Sequence, residues 1–162
     1  MEKVEIGDLV KDQITGFKGA VKAYHDCPFN ENTFCVKPME LWEGKTIPAE
    51  WIDESNLVVV EKRVVENIVP CPDPQFEIGQ KVKDITSPYE GVIISISYFI
   101  NGCIRYGVQS NKLEKGQPVD SLNFPENHIE LKKSKPMKIE DNSQPEKRTG
   151  GPLRMPKEKN YE

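Results

Sequence analysis

Metal-ligand spacing is missing from this chain. Its four cysteines, Cys27, Cys35, Cys71 and Cys103, form no CxxC pair, and its two histidines, His25 and His128, sit far apart. A tetrahedral zinc centre needs closely spaced pairs of soft donors, so no metal and no cofactor are expected. The one cluster, His25-x-Cys27 with Cys35, reads as a hairpin carrying small buried thiols. No apolar run approaches the roughly 18 residues of a membrane-spanning helix, and the opening MEKVEIGDLV lacks the basic segment and apolar core of a signal peptide. A cytoplasmic protein without structural disulfides is therefore expected. No G-x4-G-K-[ST] loop occurs, so the glycine-bearing stretch GDLVKDQITGFKG is not read as a phosphate cradle. Catalysis would need a His, Cys or carboxylate pair with an orienting partner. The one adjacent pair, Asp53-Glu54, would point to opposite faces of a strand, so no enzyme is expected and no catalytic residue is assigned.

Charge is present but unevenly placed. Residues 1–131 hold 13 Lys and Arg against 21 Asp and Glu, whereas residues 132–162 hold 9 against 5. An acidic body opposes attraction to a nucleic-acid backbone, and only the basic tail favours it.

Self-comparison organises the chain. At a constant offset of 72, Glu5, Ile6, Gly7, Val10, Lys11, Asp12, Gly19, Val36, Leu41, Gly44 and Glu54 recur as identical residues, from Glu77 to Glu126. Phe17/Tyr89, Val21/Ile93, Phe34/Tyr106, Ile52/Phe124 and Leu57/Ile129 keep apolar character without an insertion. The expected division is copy 1 over 1–60, a proline-containing linker over 61–75, copy 2 over 76–131, and a basic tail over 132–162. Three prolines, Pro70, Pro72 and Pro74, stiffen the linker. The tail carries too little apolar surface to offset ordering and is expected to be disordered.

Within each copy the signals are those of short strands. GVIISISYF alternates Ile94, Ile96 and Tyr98 with Ser95 and Ser97. Asn101-Gly102 reads as a type I′ turn, and the chain returns with Ile104, Tyr106 and Val108 opposite Cys103, Arg105 and Gly107. Gly19 and Gly91 read as places where a strand bends or approaches another backbone closely. The Lys11-Asp12 and Lys83-Asp84 pairs read as surface charges beside the first turn. Short strands without an amphipathic helical stretch predict an all-β fold of two small curled units.

Val10, Gly16, Gly19 and Val21 form a V-x5-G-x2-G-x-V pattern that resembles the KOW motif of SH3-like small barrels. The whole unit, from IGDLVKDQITGFKG to WIDESNLVVV, also resembles a group of small, mostly uncharacterised bacteriophage proteins. The resemblance implies two tandem SH3-like (KOW-like) barrels presenting loops and a curved face to a partner. Copy 2 departs from it where Gly16 becomes Pro88 and WIDE becomes NFPE.

Aromatic residues near loops supply the partner-binding candidates: Phe17, Trp42, Tyr89 and Tyr98, with Arg105 as a reach toward an anionic group. Tail contacts are assigned to Lys132, Lys133, Lys135 and Lys138. The expected function is a non-catalytic binding or adaptor protein, phage-encoded and acting in the host cytoplasm, with a protein partner and no membrane. Nucleic-acid binding through rim aromatics and tail, or sequestration of a nucleotide-like small molecule between the barrels, are the alternatives.

Overall fold

The computed structural model describes residues 2–133. They are all-β. Copy 1 contributes β1 (Leu9–Asp12), β2 (Lys18–Asp26), β3 (Thr33–Lys37), β4 (Leu41–Trp42), β5 (Lys45–Thr46), β6 (Glu50–Asp53) and β7 (Leu57–Glu61). Copy 2 contributes β8 (Lys81–Asp84), β9 (Glu90–Phe99), β10 (Ile104–Gln109), β11 (Leu113–Glu114), β12 (Gln117–Pro118), β13 (Leu122–Pro125) and β14 (Ile129–Leu131). A 3-10 turn precedes the last strand of each, Glu54–Asn56 and Glu126–His128. Adding 72 to the first residue of each copy 1 element gives, to within a residue, the start of its counterpart, so the repeat in sequence is a repeat in structure. The tail expected to be disordered lies outside the described residues from position 134. Among the described residues, no helix is long and apolar enough to cross a membrane.

Each copy has its own apolar centre. Val10, Val21, Phe34, Val36 and Leu57 form one, and the equivalent Val82, Ile93, Tyr106, Val108 and Ile129 form the other. Strand alternation directs them inward. Within a copy the antiparallel order is β7-β1-β2-β3-β6, repeated as β14-β8-β9-β10-β13.

These ladders do not close. Where two tandem closed barrels are expected from sequence, the structure has one open ten-stranded sheet joined through β2 and β9. The cause is a length mismatch. β1 covers only Lys18–Ala20 of the nine-residue β2, and β8 covers only Glu90–Val92 of β9. The rest of each long strand would expose unpaired amides and carbonyls. Instead the two free edges satisfy each other, pairing Ala23 with Phe99, Tyr24 with Tyr98, His25 with Ser97 and Asp26 with Ile96.

The repeated Lys-Asp pair also reads differently in three dimensions. Lys11 and Lys83 are exposed or partly so, but Asp12 and Asp84 are buried. Asp12 accepts hydrogen bonds from the Ile14 and Thr15 amides at 3.0 and 3.2 Å and from the Thr15 hydroxyl. Asp84 accepts from the Thr86 amide at 3.2 Å and the Ser87 hydroxyl at 2.6 Å. Each carboxylate organises the first turn as an Asx turn, and this survives the Gly16-to-Pro88 change because Thr15 and Ser87 both supply a hydroxyl. Asp8 is buried too, accepting from Glu5 N–H, Lys62 Nζ and Arg63 N–H.

Two local details correct the strand reading. In β9 the register shifts, so that Val108 faces Ile93 and Gly107 faces Ser95, leaving Ile94 as the extra residue of a β-bulge. Ile93, not Ile94, is therefore the core residue. Copy 1 has the same bulge at Lys22. The turn after β9 is a three-residue loop. Of its residues only Gly102 has positive φ, at 82°, and Gly102 N–H donates to Phe99 O at 2.9 Å while Phe99 N–H donates to Cys103 O at 3.0 Å. That pattern is a type I turn closed by a glycine bulge.

The glycines before the bulges are positions of close approach. A Cβ on Gly19 would lie 2.4 Å from Lys37 O, and one on Gly91 would lie 2.1 Å from Gln109 O.

Candidate functional site at the junction of the two copies

His25 and Ser97 occupy equivalent positions in the two copies, and they are paired with each other across β2 and β9. An antiparallel pairing of equivalent residues places a local pseudo-twofold axis through that pair. His25 Nδ1 and Ser97 Oγ lie 2.8 Å apart on it. Burial holds the His25 imidazole below its ordinary pKa, with Asp26 pulling the other way. The ring is thus neutral at pH 7.

Register carries the row outward. His25 pairs with Thr33 on β3, and Ser97 pairs with Arg105 on β10. Thr33, His25, Ser97 and Arg105 therefore stand side by side across four strands on one face of the sheet. Trp51 on β6 and Asn123 on β13, again equivalent positions, flank this row. Together with Phe99 these residues line a cleft of about 310 Å³. Trp51 is 48% exposed and meets the His25 ring edge-on at 6.0 Å. The Arg105 guanidinium lies over the Phe99 ring at 5.7 Å from its centre.

The opposite face of the junction is aromatic and aliphatic at its centre, with carboxylates at its border. Tyr24 and Tyr98 stack across it at 6.0 Å, and Tyr24 meets Phe34 at 5.0 Å. They border a hollow of about 570 Å³ with Val4, Ile6, Asp26 and Glu54, rimmed by linker residues Ile68–Cys71. The Tyr24 hydroxyl is pushed up to about 12, first by burial and then by Asp26. Tyr98 is raised for the same two reasons. Copy 2 carries larger side chains at two equivalent positions. Phe76 and Tyr106 replace Val4 and Phe34, meet edge-on at 5.4 Å, and tie the Tyr106 hydroxyl to Glu126. Burial first, then the Glu126 carboxylate, raises the Tyr106 hydroxyl far above its usual range.

A third surface stands clear of the sheet. β4 pairs with β5 and β11 with β12 as separate two-stranded hairpins. Their tips, Glu43-Gly44 and Lys115-Gly116, have positive φ at both residues, 49° and 76° in one and 51° and 76° in the other. These are type I′ turns, the geometry that matches strand twist. A Cβ on Gly44 or Gly116 would meet nothing within 4 Å. Leu41 (62% exposed), Trp42 (70%) and Leu113 (67%) are displayed on these arms.

The residues singled out in the sequence thus separate. Trp42 is on a free hairpin, while Arg105 lies in the junction cleft and Tyr98 in the hollow behind it. Phe17 packs against the copy 1 core and borders a shallow groove with Pro38 and Met39. Tyr89, partly exposed, packs on Phe124 at 5.4 Å, with its hydroxyl within hydrogen-bond reach of Val108 O (3.0 Å) and Asp120 O (3.3 Å). Lys132 is paired with Glu90 at 2.7 Å, Lys133 is exposed, and Lys135 and Lys138 lie outside the described residues. Sequence reasoning did not single out His25, Trp51 and Asn123 as one site. The signal that could have found them is the offset itself, because 25/97, 33/105 and 51/123 are three equivalent pairs that differ in chemistry.

Cys27 and Cys35 are buried free thiols, and no group of His, Cys, Asp and Glu among the described residues is arranged to hold a metal ion. No protein-family model, curated protein or solved structure matches the chain.

Proposed function

We infer that this is a non-catalytic binding protein whose paired hairpins dock onto a protein partner. The observation that carries this reading is the display of Leu41, Trp42 and Leu113, all exposed, on two equivalent arms that pair with no other strand. Exposing a Trp and two Leu gains nothing for the fold, whereas a rigid exposed aromatic is a typical anchor in a partner's pocket. The acidic body supports a protein partner over a nucleic-acid backbone. In the same reading each copy is a small SH3-like unit. Its five-strand path with a 3-10 turn before the last strand, bent by one bulge, supports that architecture, and the resemblance to phage proteins favours action in a host cytoplasm.

The test is capture of partners from host lysate by the full chain, with and without nuclease, comparing wild type with Trp42→Ala and Leu41→Ser. The expected result is capture that resists nuclease and falls at least about tenfold in each variant, as loss of an interface anchor does. Capture abolished by nuclease, or unchanged in both variants, would overturn the reading.

A further inference from the structure

We propose that the junction cleft is a binding site for a small planar aromatic anion of mononucleotide size, with the ring at Trp51 and the acid at Arg105. This is independent of the hairpin reading, which uses a different surface.

The cleft straddles the pseudo-twofold axis at His25 and Ser97. A duplicated unit would build a symmetric cleft there, with the same residues on both sides. The scaffold positions have stayed alike, as Val10/Val82, Asp12/Asp84 and Gly19/Gly91 show. The cleft positions have not: His25 faces Ser97, Thr33 answers Arg105, and Trp51 answers Asn123. One side is now aromatic and the other cationic and amide-bearing. Such a site fits a ligand with two chemically different ends.

Charge selects the sign of one end. Acidic residues outnumber basic ones 21 to 13 over residues 1–131, yet no carboxylate lines this cleft. Arg105 makes no ion pair among the described residues and is steadied by the Phe99 ring. A guanidinium held this way presents a planar fork of donors suited to a phosphate or carboxylate. His25 is neutral and engaged with Ser97, so the cationic charge sits on Arg105 alone.

Volume selects the size. The Trp51 ring lies against His25 on β2, and the Arg105 guanidinium lies over Phe99 on β9. Phe99 is paired with Ala23, two residues along β2 from His25. His25 and Phe99, one strand spacing across and two residues along from each other, form the floor between them, with Trp51 reaching in from β6 and Arg105 from β10. The cleft's 310 Å³ lies at the small end of ligand sites, a volume suited to a molecule of mononucleotide size. Asn123, Ser97 and Thr33 supply donors and acceptors between the ends.

The experiment is a titration of the full chain followed by the Trp51 indole and Arg105 guanidinium NMR signals. The probes are adenosine and uridine 5′-monophosphates, adenosine, inorganic phosphate, and a six-residue oligoadenylate. The expected result is a saturable shift of both signals with at least one monophosphate. Its Kd should be on the order of 10–100 μM, the scale set by roughly 20–25 ligand heavy atoms. Adenosine and phosphate should each bind at least about tenfold more weakly. Arg105→Gln should weaken the monophosphate at least about tenfold while leaving adenosine unchanged, whereas Trp51→Ala should weaken both. Both variants should keep the dispersed spectrum of the folded protein. Absence of a shift with either monophosphate at millimolar concentration, an Arg105→Gln variant that binds as wild type, or binding by the oligonucleotide alone would overturn the proposal.

Discussion

Asp12 and Asp84 show how a single side chain can decide whether a turn forms. Both are buried acceptors of the first turn in their copy, and in both the hydrogen bonds to a neighbouring Thr or Ser hydroxyl are the leading cause holding the carboxyl below its ordinary pKa. A carboxylate whose folded pKa is depressed contributes stability that is complete above its unfolded value, near 3.9, and is lost as pH falls through the folded value. Unfolding midpoints in denaturant should therefore hold nearly level from neutral pH down to about 5 and fall below about 4. Asp84→Asn, which keeps the shape but not the charge, should lower the midpoint at pH 7 and flatten the acid limb. An acid limb identical to that of wild type would show that the Asp84 charge does not serve the turn. This role was half legible in the sequence. The recurrence of Asp at 12 and 84 marked the position, but a Lys-Asp pair beside a turn looks like surface charge until the turn's amides are seen to converge on it.

At the scale of the strand, β9 and β2 carry the lesson of the bulge. The alternation of Ile94, Ile96 and Tyr98 predicts one continuous inward face, yet the extra residue at Ile94 turns it out and lets Ile93 into the core. Alternation is legible only while the period stays two, and one inserted residue inverts everything before it. The copy 1 strand contained the missing clue, because the equivalent of Ile94 is Lys22, a residue that does not belong in a core. Ile93→Ala should cost about 2–4 kcal/mol, as removal of a fully buried aliphatic side chain does, and Ile94→Ala less than about 1 kcal/mol. Denaturant titration of the two variants checks this, and equal costs would remove the bulge from the account. The hairpin returning through Ile104, Tyr106 and Val108 is the counter-example: no residue is inserted there, and all three are buried as the alternation predicts.

At the scale of the molecule, the two copies were plain in sequence and their union was not. A constant offset reveals duplication, but the joining of β2 to β9 depends on how far β1 and β8 reach along them, which composition and spacing do not show. The junction site was hidden for the same reason. Its residues come from β2, β3, β6, β9, β10 and β13, and they meet only because four central strands lie in one register. Trp42 and Arg105, by contrast, were legible singly, as an aromatic in a charged loop and as an isolated arginine on a strand. Both the open sheet and the cleft depend on the pairing of equivalent residues at 25 and 97. That pairing is most directly tested by NMR on the full chain, through cross-strand contacts and amide hydrogen exchange. Contacts are expected to link Tyr24 to Tyr98 and His25 to Ser97, with amides across Ala23–Asp26 exchanging at least about tenfold more slowly than those of the separate β4–β5 hairpin. Absence of those contacts, together with edge-like exchange along β2 and β9, would contradict that pairing and leave two independent units with no shared cleft.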